Sequence, residues 1–137
     1  MKKYYVRDAS GWTMMVFGVI ALLLGLFGLI RPELLLSILG FSVIDRAARA
    51  AGDYTLVFIT ASAMASFNMG AYYILASLND LKKFYVWTVP FRLVTFTVFT
   101  LTVLSRLAPG RFFMVGAWEG LGAVATGAAL FLEQRKA

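Results

Sequence analysis

WTMMVFGVIALLLGLFGLI, residues 12–30, is nineteen residues without a single charge. As a helix rising 1.5 Å per residue it covers about 30 Å, the thickness of a bilayer's hydrocarbon core. Its apolar positions run continuously instead of alternating, so it does not read as a barrel strand. Lys2, Lys3 and Arg7 precede it, as basic residues precede a signal peptide. The apolar run is too long for one, and no small-residue cleavage site follows closely, so a retained helix is expected.

Three further segments carry the same signature. Residues 54–78 are uncharged, residues 84–104 hold only Arg92, and residues 112–132 hold only Glu119. The whole chain agrees with them: 61% of residues are hydrophobic and 15% charged, against about 45–50% and roughly a quarter in soluble domains. The expectation is one all-α membrane domain over residues 1–137, an antiparallel bundle of four transmembrane helices. The links at 79–83 and 105–111, the second with the turn pair Pro109-Gly110, are short enough to force antiparallel neighbours.

The first link, 31–53, is longer. Pro32 can open a short helix and Gly40 can close it, and LLLSIL between them is too short to span, so it belongs in the interface. Ser42 with Asp45 resembles a capping box, and Gly52 is expected to end a small helix bearing Arg46 and Arg49. Asp53 reads as an N-cap of the second span.

The chain has no cysteine and no histidine. Disulfides, thiolate nucleophiles, Cys/His zinc sites, His-ligated haem and His-based triads are therefore excluded. No metal and no cofactor are expected. The net charge of +6 is scattered over loops and ends, which fits topogenic charges meeting anionic lipid and not a nucleic-acid surface. With four spans, Lys2, Lys3, Arg7, Lys82, Lys83, Arg135 and Lys136 share one side, and Arg31, Arg46, Arg49, Arg106 and Arg111 share the other. Every lysine falls on the first side, which places both termini in the cytoplasm.

Arg92 and Glu119 are the only charges within the spans, and they are opposite in sign. Each must face the protein interior and find a partner. By residue count their levels differ by about 8 Å, a gap the two side chains can close. Pro90 removes an amide donor and frees the Val86 carbonyl for a threonine, Arg92 or water, so a kink and a small pocket are expected there. Tyr85, Thr88, Arg92, Thr95 and Thr102 form one polar stripe, and Gly116, Glu119, Gly120, Ala123 and Gly127 a small-residue stripe containing the acid. Ala61, Ala65, Asn68 and Tyr72 share a face of the second span, and Gly11, Gly18 and Gly25 recur at sevens in the first. Phe67, Tyr72, Tyr73, Trp87, Phe91 and Trp118 are candidates to line an apolar pocket; Tyr4, Tyr5, Trp12, Tyr54 and Tyr85 read as interface anchors. The candidate ligand-binding set is Arg92, Glu119, Asn68, Tyr72, Thr88, Thr95 and Trp118, with Glu119 and Arg92 also the candidates for any catalysis. The same pair can instead be an ion pair that fixes helix register.

RPELLLSILGF after the first span, FNMGAYYILASL in the second, FRLV in the third and WEGLGAVATGAAL in the fourth resemble the DoxX-like and BphX-like small bacterial four-helix membrane proteins. The resemblance covers most of the chain and implies a bacterial inner-membrane location. Members of those groups mostly lack a known activity, so it implies no site residue. Three functions follow as expectations. The first is binding of a lipid, another apolar small molecule or a partner subunit around Arg92 and Glu119. The second is a membrane cyclase, isomerase or hydrolase with Glu119 as acid or base. The third is an oligomeric transporter or channel, and a homo-oligomer is among the possible partners.

Overall fold

A computed structural model describes residues 5–136; Lys2, Lys3 and Tyr4 lie outside them. The described residues are mostly helical, without a strand. Four long helices, α1 (Ala9–Ile30), α3 (Thr55–Leu78), α4 (Lys82–Leu104) and α5 (Phe113–Gln134), are joined by the short α2 (Pro32–Ile38) and by 3-10 turns at Arg46–Ala48 and Gly110–Phe112. Three stretches are long and apolar enough to cross a membrane: Ala9–Ile30, Lys82–Leu104 and Gly110–Gln134. The expectation had four. The 24-residue α3 is long enough but is not among the three; Ser62, Ser66, Asn68, Tyr72 and Tyr73 interrupt its apolar run.

α1 lies at the centre. Its glycines at sevens turn toward α3, where a Cβ on Gly18 would stand 2.9 Å from the Gly70 carbonyl oxygen and one on Gly25 2.7 Å from that of Ala63. Side chains at these positions would hold the two backbones apart. The close approach is stitched by hydrogen bonds: Ser66 Oγ donates to the Ala21 carbonyl at 2.9 Å and Ser77 Oγ to the Gly11 carbonyl at 2.8 Å. On its other side α1 meets α5, and α5 packs along α4 through Gly116, Gly120 and Gly127, which face Phe99, Phe96 and Val89. The helices thus run in the order α3, α1, α5, α4. α3 and α4 meet near their shared link, where Tyr73 and Phe84 touch edge to face at 5.7 Å and the Tyr85 hydroxyl donates to the Ala76 carbonyl at 3.1 Å. Tyr85 is therefore fully buried, not an interface anchor.

Helix ends follow local chemistry. α2 ends in a paired-bond cap: Gly40 N–H donates to the Ser37 carbonyl and Phe41 N–H to that of Leu36, with Gly40 at φ +87°. α4 ends the same way, but Arg106 occupies the left-handed position at φ +62°, donating to Val103 while Leu107 donates to Thr102. The capping box of Ser42 and Asp45 does not form; the 3-10 turn has no side-chain cap and ends at Ala48, so Gly52 (φ +93°) sits in a later turn. The N-cap of α3 is Tyr54, without a side-chain cap, and not Asp53, which accepts from Thr55 N–H at 2.9 Å and binds Arg49 at 2.8 Å just ahead of the helix.

The start of α1, the end of α5 and the α3–α4 link share one end of the molecule. There Lys82 Nζ lies 2.5 Å from Asp8 Oδ2, 2.7 Å from Ser10 Oγ and 2.8 Å from Glu133 Oε2, tying α1, α4 and α5 together. Asp8 also caps α1 through Gly11 N–H at 2.9 Å. Burial alone would raise the Asp8 carboxyl, but the Lys82 ammonium, Gly11 N–H and Ser10 hydroxyl outweigh it and hold it below the ordinary aspartate range.

A left-handed backbone is costly for a side-chain-bearing residue and free for glycine. Arg106→Gly should stabilise the fold by about 1 kcal/mol, read as a higher Tm in detergent, and Arg106→Val should lower it. Because the Asp8 carboxyl is depressed in the folded chain, its contribution is present above the ordinary value and lost as pH falls through the folded one. Tm should therefore drop below about pH 4, and Asp8→Asn should flatten part of that drop.

Candidate functional site

Arg92 enters the interior from the middle of α4, and its side chain is only 3% exposed. Its Nε donates to Glu119 Oε2 at 3.3 Å, so the two intramembrane charges of opposite sign do meet. Its Nη1 lies 3.4 Å from Thr126 Oγ1 on α5. Its guanidinium carbon sits 3.5 Å from the centre of the Phe17 ring on α1. Phe17 in turn stacks on Trp118 at 4.7 Å with the rings 13° apart. Two groups this close cannot share one ring face, so guanidinium, phenyl and indole form a three-layer stack. The cation gains from the π face of Phe17 in surroundings that water does not screen. Gly122 makes the space: a Cβ there would overlap Arg92 Nη2. That Nη2 is buried without a hydrogen-bond partner.

From Thr126 the polar contacts continue toward the charged end. Thr126 Oγ1 lies 3.0 Å from Thr13 Oγ1, and Thr13 gives its proton to the Ser10 carbonyl at 2.7 Å. Thr126 therefore accepts from Arg92 and donates to Thr13, and the row runs in one direction. Ser10 then meets Glu133, its N–H donating to Oε1 at 2.8 Å.

The other expected site residues are dispersed. Thr88 is buried, but its hydroxyl donates to the Tyr85 carbonyl at 2.8 Å, serving its own helix and not the Val86 carbonyl that Pro90 frees. Thr95 and Thr102 likewise donate to Phe91 and Val98 one turn back. Pro90 is accommodated inside a continuous α4. Tyr72 is 55% exposed and points away, whereas its neighbour Tyr73 is 5% exposed and packs on Phe17 at 5.7 Å. The face of Ala61, Ala65, Asn68 and Tyr72 turns outward, not toward Arg92, because Gly70 and Ala63 on the opposite face are pressed against α1. Trp87 and Phe91 are exposed as well.

A cavity of about 680 Å³ does exist, one layer away. It lies where α3 parts from the α4–α5 pair. Phe58, Ile59 and Ser62 of α3 form one wall, Phe99 of α4 and Val115 of α5 the other, and Leu35 and Leu39 roof it. Arg92 and Glu119 do not line it. Trp118 does, and so joins the cavity to the charged stack. Sequence reasoning missed Phe17, Thr126 and Gly122. A small residue three positions after the acid is a weak signal for a guanidinium cradle, and nothing singles out Phe17 among twelve phenylalanines. It also missed the Asp8–Lys82–Glu133 clamp, although each of those charges sits just beyond a span end on the same side.

The pair has a testable asymmetry. A carboxylate left alone in apolar surroundings can discharge by taking a proton, while a guanidinium keeps its charge. Glu119→Ala strands the buried Arg92 and should cost about 3 kcal/mol or more. Arg92→Ala should cost less, and Arg92→Met with Glu119→Leu should recover much of the loss. Thermal unfolding of the three variants in detergent measures this; equal and additive losses would contradict the pairing.

No family model, curated protein or solved structure matches the chain.

Proposed function

We propose that the chain is a four-span integral membrane protein that binds an elongated apolar molecule, a lipid chain or a compound of similar shape, in the groove between α3 and the α4–α5 pair. The groove itself carries this reading. Its volume lies within the range of about 300–1,000 Å³ that small-molecule sites occupy, and its walls are apolar apart from Thr55, Ser62 and Ser66. Trp118 forms the floor, and the stack behind it holds the indole in place.

That α3 also spans is supported by its partner. It is uncharged and lies along α1, from Ser77 beside Gly11 to Ala63 beside Gly28. A bilayer that admits the highly apolar α1 takes α3 with it. Lys82, Lys83, Arg135 and Lys136 at the shared end support cytoplasmic termini, and the DoxX-like resemblance supports the bacterial inner membrane. Binding is favoured over an enzyme built on Glu119, because that carboxylate is engaged by Arg92 and does not line the groove.

Native mass spectrometry of protein extracted in mild detergent tests the proposal. Wild type should carry a bound apolar molecule, and Ser62→Trp or Val115→Trp, which fill the groove, should reduce its occupancy at least tenfold while Tm holds. Unchanged occupancy in both folded variants would place the ligand outside the groove, and a wild type that carries no apolar molecule would overturn the proposal.

A further inference from the structure

The outer face of α3 poses a problem that α3's own neighbours do not solve. The one long helix outside the three candidate spans is the one packed along its length by α1 alone. Its inner face, Ala63, Gly70, Tyr73, Ala76 and Ser77, is buried. Half a turn away, Ala61, Ala65 and Tyr72 are exposed and Asn68 is half-buried. Asn68 follows the first residue of α3 by thirteen positions and precedes the last by ten, which sets it within about 2 Å of the helix midpoint. Three other polar side chains of α3 do find carbonyl partners. Thr60 donates to the Leu56 carbonyl, Ser66 to Ala21 and Ser77 to Gly11. Among the described residues the Asn68 amide has no hydrogen-bond partner for its donor or its acceptor. At mid-membrane neither water nor a lipid tail can supply one, and leaving both groups unmet is costly.

We propose that two copies of this chain associate through the outer face of α3, with the Asn68 side chains hydrogen-bonded to each other. The amide's own chemistry selects this occupant. A carboxamide carries a donor and an acceptor, so two of them related by a two-fold axis along the membrane normal satisfy each other reciprocally. A second copy presents that amide at the same depth by construction. A different partner would need a matching polar group at that level. Ala61 and Ala65, one turn apart beside Asn68, let the two helices come close enough for the short amide to reach. Tyr72 continues the same face one turn toward the charged end. The interface rests on the reading that α3 spans the membrane, but not on ligand binding in the groove, which opens on another side of α3.

The absence of cysteine makes the test direct. Ala61→Cys and Ala65→Cys are introduced singly, with Val94→Cys on α4 and Leu121→Cys on α5 as exposed controls. Oxidative cross-linking is done in native membranes, and reaction with a water-soluble maleimide in opened membranes is read in parallel. The expected result is disulfide-linked dimer from the Ala61→Cys or the Ala65→Cys chain at least fivefold above both controls. Asn68→Leu in the same backgrounds should cut it severalfold, and Asn68→Gln should retain most of it. An unchanged Tm of the Asn68→Leu chain in detergent shows that the fold is kept, so that the loss reads on association. Cross-linking at control level, or cross-linking indifferent to Asn68→Leu, overturns the interface. If the α3 cysteines react freely with the maleimide, α3 is outside the bilayer and the spanning reading falls together with the interface. If they are shielded but do not cross-link, the interface alone falls.

Discussion

Gly18, Gly25 and Gly70 let α1 and α3 approach until backbone meets backbone. Much else follows from that contact. In a bilayer, helix association cannot draw on the hydrophobic effect, so van der Waals fit between close backbones must supply it. The seam fixes the rotation of α3, and with it which tyrosine of the pair at 72 and 73 faces inward. Tyr73 goes in against Phe17, Tyr72 goes out, and Asn68 goes out with it. The same seam holds α3 to α1 while α4 follows α5, so the two sides part beyond the Tyr73–Phe84 contact and a groove opens between them.

Arg92 occupies the junction of the other three helices. Its charge is met by Glu119 of α5, by the π face of Phe17 of α1 and by a weak bond to Thr126, again of α5. A buried charge is tolerable only when it is met in this way. The requirement makes the site a device for specifying register: a slide of α4 along α5 would separate the charges and drive the guanidinium into the wall that Gly122 now leaves open. At the charged end Lys82 performs a related task in partly wet surroundings, where Asp8, Ser10 and Glu133 converge on a single ammonium. One cation at mid-depth and one at the end, joined by Thr126, Thr13 and Ser10, pin α1, α4 and α5 against rotation and slippage.

Much of this was legible in advance. Apolar length located α1, α4 and α5, and Pro32 with Gly40 located α2, because these features act through the chain's own geometry and its solvent. Opposite charges in adjacent spans named Arg92 and Glu119 as partners. The small-residue stripe on α5 was correctly read as a packing face, and the glycines at sevens on α1 became another. The inward face of α3 was misjudged because both of its faces carry small and polar residues, Ala61, Ala65, Asn68 and Tyr72 on one, Ala63, Ser66, Gly70 and Tyr73 on the other. Periodicity groups residues onto faces, but it does not say which face meets protein.

The sequence by itself determined that this is an all-helical chain with segments suited to a bilayer, free of cysteine and histidine chemistry, holding one buried pair of opposite charges. Those properties depend on composition and on spacing along one helix. Only the tertiary structure decided that the cavity sits beside Trp118 and not around Arg92, that Phe17 shields the guanidinium, and that Asn68 turns outward. Each of those depends on how four helices are rotated about their own axes, and rotation is set by close contacts between residues far apart in sequence, Gly18 with Gly70 and Arg92 with Glu119 first among them.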